Sequence, residues 1–297
     1  MARVEVEVEG RRLSLSNLDK VMYPATGFTK GQVIDFYTRV APVLLPHLRE
    51  RPLTLKRYPN GVDGQYFYEK QCPSHRPEWV RSEQVELSSK TIQFCICDDL
   101  PTLVWLANLA DLELHPSLSK VPEVERPTVM AFDLDPGPPA GIAECCEVAL
   151  ILRDALGRIG LKSFPKTSGS KGIQVYVPLN VEGRDYDHGT KPLSQALARH
   201  LEAGHPKLII SSQKKELRKG KVLIDWSQND EHKTTVSVYS LRARERPTVS
   251  TPLDWDEVAA GDPDGLVFEA GDVLERVEER GDLFAPVVEL KQELPAL

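Results

Sequence analysis

TVMAFDLDPGPP, residues 128–139, is the stretch on which the fold turns. An apolar run ends at Pro136-Gly137, through which neither a strand nor a helix continues. If Val129 to Asp135 is a strand, its two-residue period puts Asp133 and Asp135 on one face and Phe132 and Leu134 on the other. Two carboxylates side by side repel each other unless a cation lies between them, so the pair points to a divalent metal at a strand end.

Outward from this strand, helix and strand patterns mix without regular alternation. VEVEVEGRRLSLS alternates on either side of Gly10-Arg11 and predicts a hairpin. Thr29 and Gln32 stand at capping-box spacing and open a helix over Lys30 to Leu45. PLTLKRYP, GQYFYEK and the two halves of VELSSKTIQFCICDD predict strands, and DLPTLVWLANLADLEL predicts a helix with Asp99 at its N-cap and Pro101 in its first turn. Beyond the aspartates come a helix over GIAECCEVALILRDALGRIG stopped by Gly160, a Gly/Ser loop feeding a strand in KSFPKTSGSKGIQVYVPL, and a helix over PLSQALARHLEAG. Strands over VLIDWSQN and TTVSVYSLRA follow, then short helices near Trp255 and over 272–280. The fold class expected is α+β, with mixed or antiparallel sheets flanked by helices, and no internal boundary stands out.

Composition narrows the function classes. With 297 residues, 41% hydrophobic and 27% charged, the chain reads as globular and can bury a large core. No apolar run approaches the length of a membrane span, and the acidic, alternating start is unlike a secretory signal. Five cysteines, an odd number, lead to the expectation of reduced thiols in a cytoplasm. The net charge of −7 argues against a uniformly basic nucleic-acid binder, but KKELRKGK at 214–221 concentrates five basic residues and LKRYP adds Lys56 and Arg57. Acidic residues gather at the two ends, so a basic patch on an acidic body is expected.

Asp225, inside the apolar VLIDWSQN, supplies a third hard oxygen donor, although an aspartate in that position is equally at home on a solvated face. Two or three carboxylates suit a pair of divalent cations used for in-line displacement at phosphorus. In KTSGSKGIQVYVPL, Gly169 and Gly172 let backbone N–H groups approach an anion, Ser168 offers a hydroxyl and Lys171 a positive charge; the Walker order is absent. Arg242 and Arg244 share a face if their strand continues, and either suits a phosphate clamp, while His115 reads as following a helix. Cys72-x2-His75 followed by Cys95-x-Cys97 has the look of a zinc site, with core packing as the plain alternative. FDLD also occurs at the strand end of dehalogenase-like phosphatases, but there it lies near the N-terminus and continues with Gly-Thr.

The ordered segments ANLADLELHP, MAFDLDPG, KTSGSKGIQVYVPL, KVLIDWSQN and YSLRARERPTVSTPLDWDEV resemble the polymerase domain of bacterial ligase D, a branch of the archaeo-eukaryotic primase superfamily. The similarity runs from LSNLDKVMYP to LFAPVVELKQELP, so residues 1–297 are expected to form one primase-polymerase domain. The resemblance implies a two-lobed fold with its active site in the cleft between lobes. It implies Asp133, Asp135 and Asp225 as catalytic metal ligands, with His115, Ser168, Lys171, Gln174 and Arg242 on the incoming nucleoside triphosphate. It assigns Lys20 and Lys30 to a downstream 5′-phosphate, Phe67 and Tyr68 to stacking on template bases, and Lys56, Arg57, Lys214, Lys215, Arg218 and Lys219 to DNA.

Two departures accompany the resemblance. Gln174 stands where the family usually carries histidine, which removes one charge-assisted contact to the triphosphate, and DWSQN stands where Asp-Tyr-Leu-Arg-Asn is common. No Lys-x-Asp-Gly ligase motif occurs, as in stand-alone members that rely on a separate ATP-dependent DNA ligase and an end-binding protein. The expected function is gap-filling synthesis on a primer 3′-hydroxyl, from ribo- or deoxyribonucleotides with manganese or magnesium, in a bacterial cytoplasm at the nucleoid. The alternatives are a non-catalytic module that bridges DNA ends and, less favoured by its motif, the phosphatase.

Overall fold

The computed structural model describes residues 3–87 and 90–295, so Ser88 and Ser89, inside the predicted VELSSKTIQFCICDD pair, lie outside the described residues. The backbone forms two units, one from Met1–Ser117, Val236–Ser250 and Phe268–Asp282, the other from Leu118–Thr235, Thr251–Val267 and Leu283–Leu297.

In the first unit the predicted hairpin is β1 (Arg3–Val8) paired antiparallel with β2 (Arg11–Ser16), turned by Glu9 and Gly10 at positive φ. β3 (Val21–Tyr23) and β4 (Phe28–Thr29) lead into α1 (Lys30–Leu48). Both halves of the Thr29/Gln32 capping box are present, and the helix buries Val33, Phe36, Tyr37, Val40 and Leu44. β5 (Pro52–Arg57) pairs antiparallel with β6 (Phe67–Glu69), and β7 (Ser82–Leu87) pairs with β8 (Lys90–Ile96), which also borders β5.

The helix expected through Leu114 stops earlier. α2 (Leu100–Asn108) is capped by Asp99 as predicted, but Ala110 then takes φ +60° and Asp111–Pro116 becomes β9, antiparallel to β5. Residues 236–243 also differ from the predicted strand. Their N–H groups serve two separate segments, Ser237 donating to Leu114 O while Tyr239 and Arg242 donate to Ser250 O and Thr248 O, with Tyr239 at φ +62°. Only isolated bridges form, so Arg242 and Arg244 do not share a strand face.

The expectation of five reduced thiols is corrected as well. Cys72 N donates to Gln93 O, which lays the 70–76 loop along β8, and Cys72 and Cys95 are joined in a disulfide with Cα atoms 4.9 Å apart. That bond removes two ligands of the proposed zinc site; Cys97, Cys145 and Cys146 are free and buried.

The second unit is built on a five-stranded sheet. β10 (Val129–Pro136) is followed by α3 (Ile142–Arg158), β11 (Phe164–Thr167), β12 (Ile173–Pro178), α4 (Thr190–Gly204), β13 (Ile209–Ile210) and β14 (Val222–Asp225). The strand order is β11-β12-β10-β14-β13, antiparallel except for β13 beside β14. Phe132 and Leu134 are fully buried, and α3 packs on β10 and β12, with Cys145 Sγ donating to Leu134 O. VLIDWSQN is a strand only to Asp225; Trp226–Gln228 forms a 3-10 turn capped by the Asp225 side chain. Among the described residues no helix is long and apolar enough to cross a membrane.

Candidate active site

The register of the second unit's sheet sets four polar side chains in one row. Asp133 on β10 lies directly opposite Asp225 on β14 and, on its other side, opposite Gln174 on β12, which in turn lies opposite Lys166 on β11. Directly opposed residues project to the same face, so Asp133, Asp225 and, two residues along β10, Asp135 share one face, as the period of two required.

Hydrogen bonds connect the row. Buried Lys166 donates from Nζ to Gln174 Oε1, and Gln174 Nε2 donates to Asp133 Oδ1 at 3.2 Å. Gln174 is therefore a buried bridge between a cation and a carboxylate. Burial raises the Asp133 carboxyl to about 6; Asp225 and Asp135 add to the rise, while the Gln174 hydrogen bond and Lys166 oppose it.

The other two carboxylates are held from the 211–221 segment. Gln213 Nε2 donates to Asp225 Oδ1 at 2.8 Å, and Ser227 Oγ and Gln228 Nε2 donate to the same carboxylate. Arg218, within KKELRKGK, sets Nη1 3.4 Å from Asp135 Oδ2 and donates from Nη2 to Gln213 O and Oε1. In this arrangement no group of three His, Cys, Asp or Glu side chains among the described residues is disposed to hold a metal ion. The donors still suit a hard divalent cation: all are carboxylate oxygens, two are directly opposed across a strand pair, and a guanidinium stands against the third.

Two glycines allow the strand ends to approach. A Cβ on Gly172 would lie 2.0 Å from Leu134 O, and one on Gly137 would lie 2.0 Å from Arg218 O. Gly172 N and Ser170 N both donate to Ser168 Oγ, so the Ser168 hydroxyl organises the loop, while Lys171 is exposed at its tip. Asn229 prolongs the sheet with its side chain, accepting from Ala131 N and donating to Ala131 O.

In the first unit a second polar cluster centres on Glu113, which is almost wholly buried on β9. Its Oε2 meets Lys56 Nζ at 3.1 Å, His115 Nε2 at 3.0 Å and Arg242 Nε at 3.4 Å, and its Oε1 accepts from Ala243 N. Burial favours the neutral acid, but the His115 hydrogen bond with Arg242 and Lys56 holds the Glu113 carboxyl well below the usual range. Burial pushes the His115 imidazole down against the pull of Glu113, and the cations Arg242 and Lys56 push it the same way.

The residues assigned to DNA divide into engaged and exposed groups. Lys30 is buried, its Nζ donating to Ser16 O at 2.7 Å and Asn108 Oδ1 at 2.8 Å; burial, with the charge of Lys20, lowers it to about 8. Lys20 donates to Pro59 O and Asn60 Oδ1, and Arg57 pairs with Glu69. Phe67, Tyr68, Lys214, Lys215 and Lys219 are exposed. Glu113, Lys166 and Gln213 were not singled out in the sequence. Glu113 was hidden because DLELHP read as the tail of a helix rather than a strand with Glu113 and His115 on one face.

Comparison with known proteins identifies the setting of this geometry. Residues 29–284 match the LigD primase-polymerase domain. A multifunctional non-homologous end joining protein LigD of Mycolicibacterium smegmatis is 41% identical over 280 residues, covering 93% of this chain and 36% of that protein. The bifunctional LigD of Bacillus subtilis is 32% identical over 270 residues, covering 91% of this chain and 43% of that protein. The chain thus spans well under half the length of these relatives. The solved polymerase domain of Mycobacterium tuberculosis ligase D, in complex with DNA, superposes with a TM-score of 0.89 at 41% identity, covering 95% of this chain and 99% of that one. The α+β fold is that of this structure, and the chain belongs to the LigD primase-polymerase domain family.

Proposed function

We propose that the chain is a template-dependent polymerase of DNA end joining that adds nucleotides to a primer 3′-hydroxyl across short gaps or at broken ends. The observation that carries this reading is the Asp133, Asp135 and Asp225 set on one sheet face, in a chain 41% identical to a polymerase domain whose structure holds DNA.

These three carboxylates would hold magnesium or manganese. Bound there, the ions would acidify the attacking hydroxyl and neutralise charge on the departing pyrophosphate. The side chains have their own tasks. Gln174 and Lys166 orient the Asp133 carboxylate, and Arg218 and Gln213 would have to give up Asp135 and Asp225 for these to hold a cation. In the second unit, Lys171 and the N–H groups of the Ser168 loop suit a triphosphate. In the first, His115 and Arg242 are assigned to the nucleotide, Phe67 and Tyr68 to template bases, and Lys20, with donors at the surface, to a 5′-phosphate. The nick left after synthesis requires a DNA ligase.

Primer extension across a short gap with a downstream 5′-phosphate tests the reading. Ribo- and deoxyribonucleotides are each supplied with magnesium or manganese, against each of the four templating bases. Incorporation that follows base pairing supports a templated polymerase. Binding of the DNA without any incorporation favours an end-bridging module instead.

A further inference from the structure

Within the first unit, a cavity of about 1000 Å3 lies between the 70–76 loop and the start of β8, far from any carboxylate of the metal set in sequence. We infer that this cavity binds the backbone of a single-stranded nucleic-acid segment, with Lys70, Arg76 and Lys90 on its phosphodiesters and Tyr68 at its rim under a base. The inference rests on the polymerase reading above and extends it from Tyr68 to Lys70, Arg76 and Lys90, which that reading does not use.

Charge is the first support. Four permanent cations, Arg57, Lys70, Arg76 and Lys90, line the cavity together with His75, against one carboxylate, Glu69, which Arg57 already binds at 2.9 Å. So strong an excess of one sign in a concavity concentrates phosphate. The volume is at the top of the roughly 300–1,000 Å3 typical of small-molecule sites, and the cavity is open, which suits a strand passing through rather than an enclosed metabolite.

Aromatic surface is the second. Tyr66, Phe67 and Tyr68 are 53%, 46% and 49% exposed, and Tyr68 reaches the cavity wall. A cationic groove beside successive exposed rings is the arrangement by which proteins track single strands without reading sequence.

Rigidity is the third. The loop that carries Lys70, His75 and Arg76 is joined to β8 by the Cys72–Cys95 bond, by Cys72 N donating to Gln93 O and by Gln93 N donating to Gln71 Oε1. The cations are therefore presented from a wall fixed to the sheet. A preorganised site loses less conformational freedom on binding.

The test measures binding of a fluorescein-labelled eight-residue oligothymidylate by anisotropy from 50 to 200 mM KCl, without nucleotide or metal. Arg76→Ala/Lys90→Ala is expected to weaken binding about tenfold at 50 mM and to make the slope of log affinity on log salt shallower by about 1.4, or about 0.7 for each lost phosphate contact on a single strand. Tyr68→Ala is expected to weaken binding about fivefold or more at every salt concentration without changing the slope. Wild-type affinity and slope in the double variant would overturn the inference, as would oligothymidylate binding that Tyr68→Ala leaves intact. Primer extension by the wild-type protein is run alongside. Extension with an unchanged slope in the double variant refutes the cavity assignment alone, whereas a reduced slope without extension refutes the polymerase reading and leaves the strand site standing.

Discussion

Gln174 donates from Nε2 to Oδ1 of Asp133 at 3.2 Å, while its own Oε1 accepts from the buried ammonium of Lys166. The amide cannot turn over without facing a donor to Lys166 and an acceptor to Asp133, so its orientation is fixed from both sides. Gln174, expected from the sequence on the incoming nucleotide, is in the fold hydrogen-bonded to one of the three carboxylates proposed to hold the metal.

Replacing Gln174 separates these effects. Gln174→Leu loses both hydrogen bonds and is expected to cost about 3–6 kcal/mol of stability, at roughly 1.5–3 kcal/mol for each hydrogen bond to a charged group. Gln174→Glu keeps an acceptor for Lys166 but sets a second negative charge against Asp133, so it is expected to reduce the extension rate more than stability. Denaturant unfolding and primer extension on both variants check this; equal loss of both properties in Gln174→Glu would contradict the positioning role.

Glu113 ties together Lys56, His115, Arg242 and the Ala243 N–H. Glu113→Gln is expected to destabilise the protein by roughly 3 kcal/mol, because it leaves the partly buried Lys56 and Arg242 without their counter-charge. Urea unfolding measures the loss, and a variant within 1 kcal/mol of wild type would mean that the cluster is solvated in solution.

Lys30 gives a pH dependence with a definite sign. Its folded pKa, about 8, lies below the unfolded value of 10.5, so between these limits the unfolded chain binds more protons. The penalty of burying the cation is present in full below about pH 8 and is relieved as pH rises toward 10.5. Relative to Lys30→Met, the wild-type protein is expected to gain on the order of 3 kcal/mol across that window. Unfolding free energies of both proteins at pH 7.5 and 10 test it; a difference that stays constant contradicts the burial of Lys30.

Arg218 competes with any cation for Asp135, which it meets at 3.4 Å, and it steadies the Gln213 that donates to Asp225. Arg218→Ala is expected to tighten manganese binding about fivefold, equivalent to ~1 kcal/mol for a partly exposed pair. Calorimetric titration with manganese reads this directly, and weaker binding in the variant would show that Arg218 supports the metal set instead of opposing it.

The features legible in sequence were those fixed by local rules. The shared face of Asp133 and Asp135 followed from the strand period, and the starts of the helices Lys30–Leu48 and Leu100–Asn108 followed from Thr29/Gln32 and from Asp99 with Pro101. What escaped was decided by distant partners. Leu109 to Leu114 carries no glycine or proline, and only the left-handed turn at Ala110 and pairing with Pro52–Arg57 make it a strand. Residues 236–243 alternate like a strand, but their N–H groups are divided between Leu114 and the 248–250 stretch. Cys72 and Cys95 gave no sign of their pairing, because it depends on the 70–76 loop lying along a strand more than twenty residues away. Arg218 lay in a basic run assigned to DNA and Gln213 just before it, whereas the fold turns these two toward the carboxylates.

The most direct test of the central claim uses Asp133→Ala/Asp135→Ala on a gapped duplex with a labelled primer and a downstream 5′-phosphate, measuring incorporation and DNA binding in the same buffer. Synthesis by the wild-type protein that vanishes in the variant, with DNA affinity equal or higher because two repelling charges are gone, is the predicted result. Synthesis that survives the double substitution would contradict the account, since the carboxylates on Val129–Pro136 would then have no part in the chemistry.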